Sequence, residues 1–204
     1  EIDFDAIEAN NAAIGVGNFG NSYIRRSSVN NHNWYGVLSN LNLEASENWD
    51  VNIGFDARMY HGDHFRQVND LMGLTGFNDN FATDRPSDYT FTEVYEANPW
   101  AALTNFADED NRTQYDYSED INYLGGFGQA EYSANGFSMF VQGAFSNQTY
   151  QREGRFVGRG GDGLGQSEKV SKTGYNVKGG LGLEIDAKSS IFVNSGFYSR
   201  QPFL

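Results

Sequence analysis

The chain has 204 residues, a formal net charge of −13 and no cysteine. These exclude a disulfide framework, a thiolate zinc site and the clustered cations that nucleic-acid binding needs. Gly 24, Tyr 12 and Phe 16 against Pro 3 describe an all-β chain, because aromatic residues favour strands and are what disordered chains lack. No run of about 20 apolar residues offers a transmembrane helix, and residues 1–20 lack the basic start and apolar core of a signal peptide.

Alternation begins after "NNHNW". It runs from Tyr35 to Ala45, turns at Ser46, Glu47 and Asn48, and resumes from Trp49 to about His61. Leu41, Leu43, Ala45, Val51, Ile53, Phe55 and Met59 fall on one face, and Asp50, Asn52, Asp56 and Arg58 on the other. Residues 66–120 break the pattern. It returns near Ile121 and reaches Ser133, where Ala134, Asn135 and Gly136 mark a tight hairpin turn. "FSMFVQGAFSNQTY" then places Phe137, Met139, Val141 and Phe145 opposite Ser138, Gln142 and Ser146. After a Gly- and Arg-rich interruption, "TGYNVKGGLGLEID" sets Tyr175, Val177, Leu181, Leu183 and Ile185 against Asn176, Lys178 and Glu184. A turn at Asp186 to Ser189 leads into the last strand, "SIFVNSGFYSRQPFL". "NPWAALTNF" is the one stretch expected to be helical, with Asn98 as cap and Pro99 in the first turn.

Six strands in three hairpins result, each on the order of a dozen residues where soluble strands have about 5–6. The turns within hairpins are tight and the connections between hairpins are long. That asymmetry belongs to outer-membrane barrels, and strands of this length fit a tilted crossing. Trp34, Tyr35, Trp49, Tyr60, Tyr132, Phe137, Tyr150 and Tyr175 lie near strand ends, where interfacial rings gather. The polar face carries Asp50, Asn52, Asp56, Arg58, Gln142, Lys178 and Glu184. It suits a watery lumen, because a dry interior would leave these groups unpaired at several kcal/mol apiece. Six strands cannot close a barrel, and open edges in lipid are not viable. The chain is therefore expected to belong to a larger wall, and the start at "EIDFDAIEANN" and the stop at "SRQPFL" fit that expectation.

The stretch "SYIRRSSVNNHNWYGVLSNLNLEASENWDVNIGFDARMYHGDHFRQVNDLMG", with "GGFGQAEYS", "TGYNVKGGLGLEID" and "FVNSGFYSRQPF", resembles the barrel of TonB-dependent outer-membrane receptors. The branch is the large one found in gut and marine Gram-negative bacteria. The resemblance implies an antiparallel up-and-down transmembrane β-barrel segment, about six strands of a roughly 22-stranded barrel. It implies an outer-membrane location, contact with lipid and lipopolysaccharide, and a TonB complex acting through a plug domain that this stretch does not include. Residues 1–33, 66–120 and 151–172 become extracellular, and 34–65, 121–150 and 173–204 become hairpins. Tyr60, Tyr95 and Trp100 are then the candidate contacts for a small nutrient ligand. The substrate, and whether a surface lipoprotein caps the barrel, stay open. A passive porin-like channel and a soluble secreted β-sandwich adhesin or lectin are the alternatives.

Three clusters invite a sharper reading. "HGDH" brings His61, Asp63 and His64 together, but a strand end would point His64 away from the other two, short of the three or four ligands a metal needs. "DEDNRTQYDYSED" offers Asp108, Asp110, Asp116 and Asp120 as hard donors for calcium, without the spacing or central glycine of an EF-hand; no cofactor is expected. "GRGGDGLGQ" lacks the Gly-Lys-Ser/Thr of a phosphate loop, while Arg152, Arg155 and Arg159 are placed to meet an anionic ligand or to sit in a solvated loop. No Ser-His-Asp set is recognisable, so no enzymatic activity is expected.

Overall fold

A computed structural model describes residues 2–80, 85–86, 88–155 and 164–201. In chain order these form α1 (Phe4–Ile14), β1 (Val16–Asn18), β2 (Arg25–Ser46), β3 (Trp49–Asp70), β4 (Gly76–Asn78), β5 (Thr90–Phe91), β6 (Asp116–Ala134), β7 (Phe137–Gly154), β8 (Gly165–Gln166), β9 (Val170–Asp186) and β10 (Ser189–Ser199). Two short 3₁₀ turns, Ala101–Leu103 and Glu109–Asn111, interrupt the long connection between β5 and β6.

The six long strands lie side by side as β10-β9-β7-β6-β3-β2 in an antiparallel sheet of seven, β8 pairing with β7. Each sequential neighbour except β3–β6 and β7–β9 is joined by a tight turn. The turn between β6 and β7 is set by Asn135 (φ 52°) and Gly136 (φ 76°). Two successive left-handed residues match the twist of the flanking strands, which is why Asn-Gly serves here. From Phe137↔Leu183 to Tyr150↔Val170 the β7–β9 register runs without a slip.

Two expectations are corrected. The strands reach 22 residues in β2 and β3, starting earlier and ending later than the alternation indicated. The helix is α1, and "NPWAALTNF" makes only the 3₁₀ turn at Ala101–Leu103, where the Asn98 side chain accepts from the Trp100 N–H at 2.9 Å. Asp3 caps α1 by accepting from the Ala6 N–H at 3.0 Å, and Gly15 ends it at φ 79°. This helix is held by a polar tether rather than an apolar stripe: buried Asn11 donates to the carbonyls of Met72 (2.9 Å) and Tyr23 (2.7 Å).

The chain divides into two compact units interleaved in sequence. A core-bearing unit takes Glu1–Asn33, His61–Glu119 and Gln151–Glu168. It holds the small β1-β4-β5 sheet and two apolar clusters, one of Val68, Leu74, Phe77 and Phe91, the other of Val29, Phe65 and Ala107. A sheet unit takes Trp34–Tyr60, Asp120–Tyr150 and Lys169–Leu204. Its only buried residues among those described are Tyr60, Gly125, Tyr150 and Gly174. Among the described residues no aliphatic side chain of this unit is buried.

Candidate functional site

The sheet unit keeps its two faces distinct. Strand register puts Leu181 between Met139 and Val193, and Leu183 between Phe137 and Ile191. Met139 is half-buried and the other five are exposed, as are Leu41, Leu43, Ile53, Phe55 and Met59. Trp49, Tyr132 and Phe137 form a row beside the tight turns, with ring centroids 5.1 and 6.3 Å apart. Trp34, Tyr60 and Tyr150 instead take the alternation of Arg58 and Gln142, so they do not join that row.

On the opposite face Gln142 pairs in register with Lys178, whose ammonium lies 5.8 Å from the Phe140 ring centre. Arg58 forms an ion pair with Asp56 and sits 5.5 Å over Tyr123. Asn52 donates to Asn42. Asp50, Asn52 and Gln142 border a shallow recess with Gln129 and Glu131. Glu184 stands at the β6–β7 turn, where its N–H donates to the Gly136 carbonyl at 2.8 Å.

Tyr60 is 7% exposed and packs on Trp34 at 4.7 Å within the sheet unit. Tyr95 and Trp100 belong to the other unit. Tyr95 leans on the Val29–Phe65–Ala107 cluster and donates its hydroxyl to Glu93 at 2.9 Å. Burial first, and Glu93 second, push its phenol up to about 12. Trp100 is 80% exposed.

The core-bearing unit contains two polar clusters. In the first, Asp116 accepts from Arg112 (2.8 Å) and from Arg155 (2.9 Å), with Ser118 and Asp63 completing the shell of Arg155. Arg112 also lies 4.0 Å over Phe65. Buried charges of this kind persist only when paired, so the cluster fastens the unit. Arg155 is thereby engaged, Arg152 lies 4.3 Å over Tyr117, and Arg159 falls outside the described residues. Asp108 accepts from the Asn111 N–H at 3.1 Å. Among the described residues no three His, Asp or Glu side chains gather around a metal position. His61 and Asp63 do point the same way, 3.5 Å apart, while His64 turns to Asn30 at 2.7 Å.

The second cluster was not foreseen from the sequence. Arg26 and Arg66 both donate to the side-chain oxygen of Gln114. Arg66 lies 4.9 Å over Tyr115, and Tyr117 stacks on His64 at 4.9 Å. Eighty-eight residues separate Arg26 from Gln114, and no local motif announces such a meeting. No protein-family model and no curated protein matches the sequence.

Proposed function

We propose that the sheet unit is a section of outer-membrane β-barrel wall, with its apolar face against acyl chains and its polar face toward a lumen. The whole serves an active-transport receptor that captures a nutrient at outer loops and imports it with TonB-supplied energy. One observation carries the membrane reading: among its described residues the sheet unit buries no aliphatic side chain, and it leaves Leu181, Leu183, Ile185, Ile191, Val193 and Phe197 more than half exposed. A water-soluble sandwich covers such a face with a second layer, since each fully buried Leu, Ile or Phe is worth about 1.5–3 kcal/mol. Strands of 17–22 residues in β2, β3, β6, β7 and β9 exceed the roughly 9–11 that a tilted crossing needs.

Among the described residues β2 and β10 have no outer neighbour, so insertion in lipid requires further strands at both edges. The transport half of the proposal rests on the likeness of the quoted stretches to TonB-dependent receptors.

Single cysteines test the wall assignment cleanly, because the chain has none. In membranes, a water-soluble maleimide is expected to label Gln142→Cys and Lys178→Cys and to spare Val141→Cys and Leu181→Cys. Uniform labelling of a detergent-free monomer with cooperative unfolding ends the membrane reading. Steady conductance without TonB would replace active transport by passive diffusion.

A further inference from the structure

Gln114 carries φ 67° and its neighbours close a three-residue turn around it, the Tyr115 N–H donating to the Thr113 carbonyl at 2.8 Å. A turn of this hand at a side-chain-bearing residue is rare and strained. It persists because both flanks are pinned by β3: Thr113 N–H donates to the Arg66 carbonyl at 2.9 Å, and the Arg66 N–H to the Tyr115 carbonyl at 3.3 Å. The Gln114 N–H is held in turn by Asp79 at 3.0 Å. Strain that its surroundings over-determine in this way is typical of ligand clamps.

The strained residue presents one neutral oxygen to two guanidinium groups. Elsewhere in this acidic chain Arg25, Arg58, Arg112 and Arg155 each meet a carboxylate. Among the described residues none lies within ion-pair distance of Arg26 or Arg66; they have Gln114 and aromatic rings, Phe19 at 5.8 Å and Tyr115 at 4.9 Å. Two like charges converge on one neutral amide oxygen, Asp79 acting on Arg26 only from beyond ion-pair distance, and each guanidinium fork matches an oxyanion in shape. Burial and the neighbouring charge of Arg66 make protonation of Arg26 harder, Asp79 and Tyr115 oppose them without reversing the shift, and a bound anion would add to the action of Asp79.

We propose that Arg26 and Arg66, clamped about Gln114, form a binding site for an oxyanion, a carboxylate, phosphate or sulfate borne by a small ligand, whose oxygen takes the place of the Gln114 amide oxygen. Tyr115 stacks on Arg66 and fixes the fork that receives it. Arg26, Arg66, Gln114, Tyr115 and Asp79 all belong to the core-bearing unit, so the inference stands apart from the membrane reading.

Calorimetric titration of the intact protein with sodium phosphate, sodium sulfate and sodium acetate, at constant ionic strength against chloride, tests it. At least one probe is expected to bind saturably. Binding by phosphate or sulfate alone assigns a tetrahedral ligand; binding by acetate alone assigns a carboxylate. Arg66→Gln should weaken the interaction at least tenfold, and so should Arg26→Gln, whose exposed position leaves folding intact. Gln114→Glu should abolish it, because its own carboxylate fills the clamp. Absence of binding to all three probes, or undiminished binding by Gln114→Glu or Arg26→Gln, overturns the proposal.

Discussion

The phenyl ring of Phe127 on β6 lies over the backbone of Gly54 on β3, so close that a Cβ at Gly54 would overlap the ring and the Ser39 carbonyl as well. An aromatic side chain laid across a glycine of the neighbouring strand keeps the sheet continuous where one side chain is absent. Gly54→Ala is therefore expected to cost about 1–3 kcal/mol through overpacking. Adding Phe127→Ala should recover part of that loss, while the Ser39 contact retains the rest. Unfolding curves of the two single variants and the double variant measure the coupling, and strict additivity would show that ring and glycine do not interact.

The same pair shows what alternation conveys and what it hides. Period-two patterning places Gly54 and Phe127 near the middle of strands, and Asn135-Gly136 marks the turn that ends the strand of Phe127. Alternation fades where both faces become covered: Phe65, Gln67 and Val68 are buried almost consecutively, so β3 past His61 no longer reads as a strand with one wet side. Residues 25–33 carry mixed polarity for a related reason, with Val29 in an apolar cluster and Asn30 bonded to His64. The Arg26–Arg66–Gln114 clamp was illegible because it depends on a strained turn brought to β3 from 48 residues away. Asp3 and Gly15 bracket α1 as cap residues, but no apolar stripe between them marks a helix in the sequence.

The face assignment predicts an asymmetry between residues one position apart. Val51→Arg or Leu181→Arg should lower the stability of the membrane-inserted protein by about 2–4 kcal/mol if the position is near the bilayer midplane. Asn52→Arg, opposite in parity and hydrogen-bonded to Asn42, should fold nearly as the parent does. Denaturant titration in lipid reads the difference, and equal losses would mean the apolar face does not meet hydrocarbon.

Asp116 holds Arg112 and Arg155 with a side chain only 4% exposed. Asp116→Ala strands the Arg112 guanidinium in a low-dielectric setting and takes from Arg155 its nearest carboxylate, and the expected loss is about 3–5 kcal/mol. Arg25 and Asp70, with side chains 64% and 36% exposed, form the contrasting surface pair; Arg25→Ala should cost under about 1 kcal/mol. Repeating both measurements in 1 M salt adds a second criterion. The surface effect should vanish and the buried one remain.

His64 gives the core-bearing unit a pH dependence of definite sign. Burial depresses its pKa below the ordinary value of 6.5, nearby His32 acts in the same direction, and Glu119 and Asp63 oppose them without reversing the shift. The folded state consequently binds fewer protons than the unfolded chain over the interval between the two pKa values. Its contribution to stability is complete above pH 6.5 and declines as the solution is acidified through the folded pKa. The chain has 3 histidines, so imidazole resonances can be assigned by substituting each in turn. The resonance lost in His64→Gln should titrate below 6.5 in the native protein, and the same substitution should flatten the fall in stability between pH 6.5 and the folded value. A midpoint at or above 6.5 would mean that Glu119 and Asp63 outweigh burial, and that Tyr117 does not shield the ring from water.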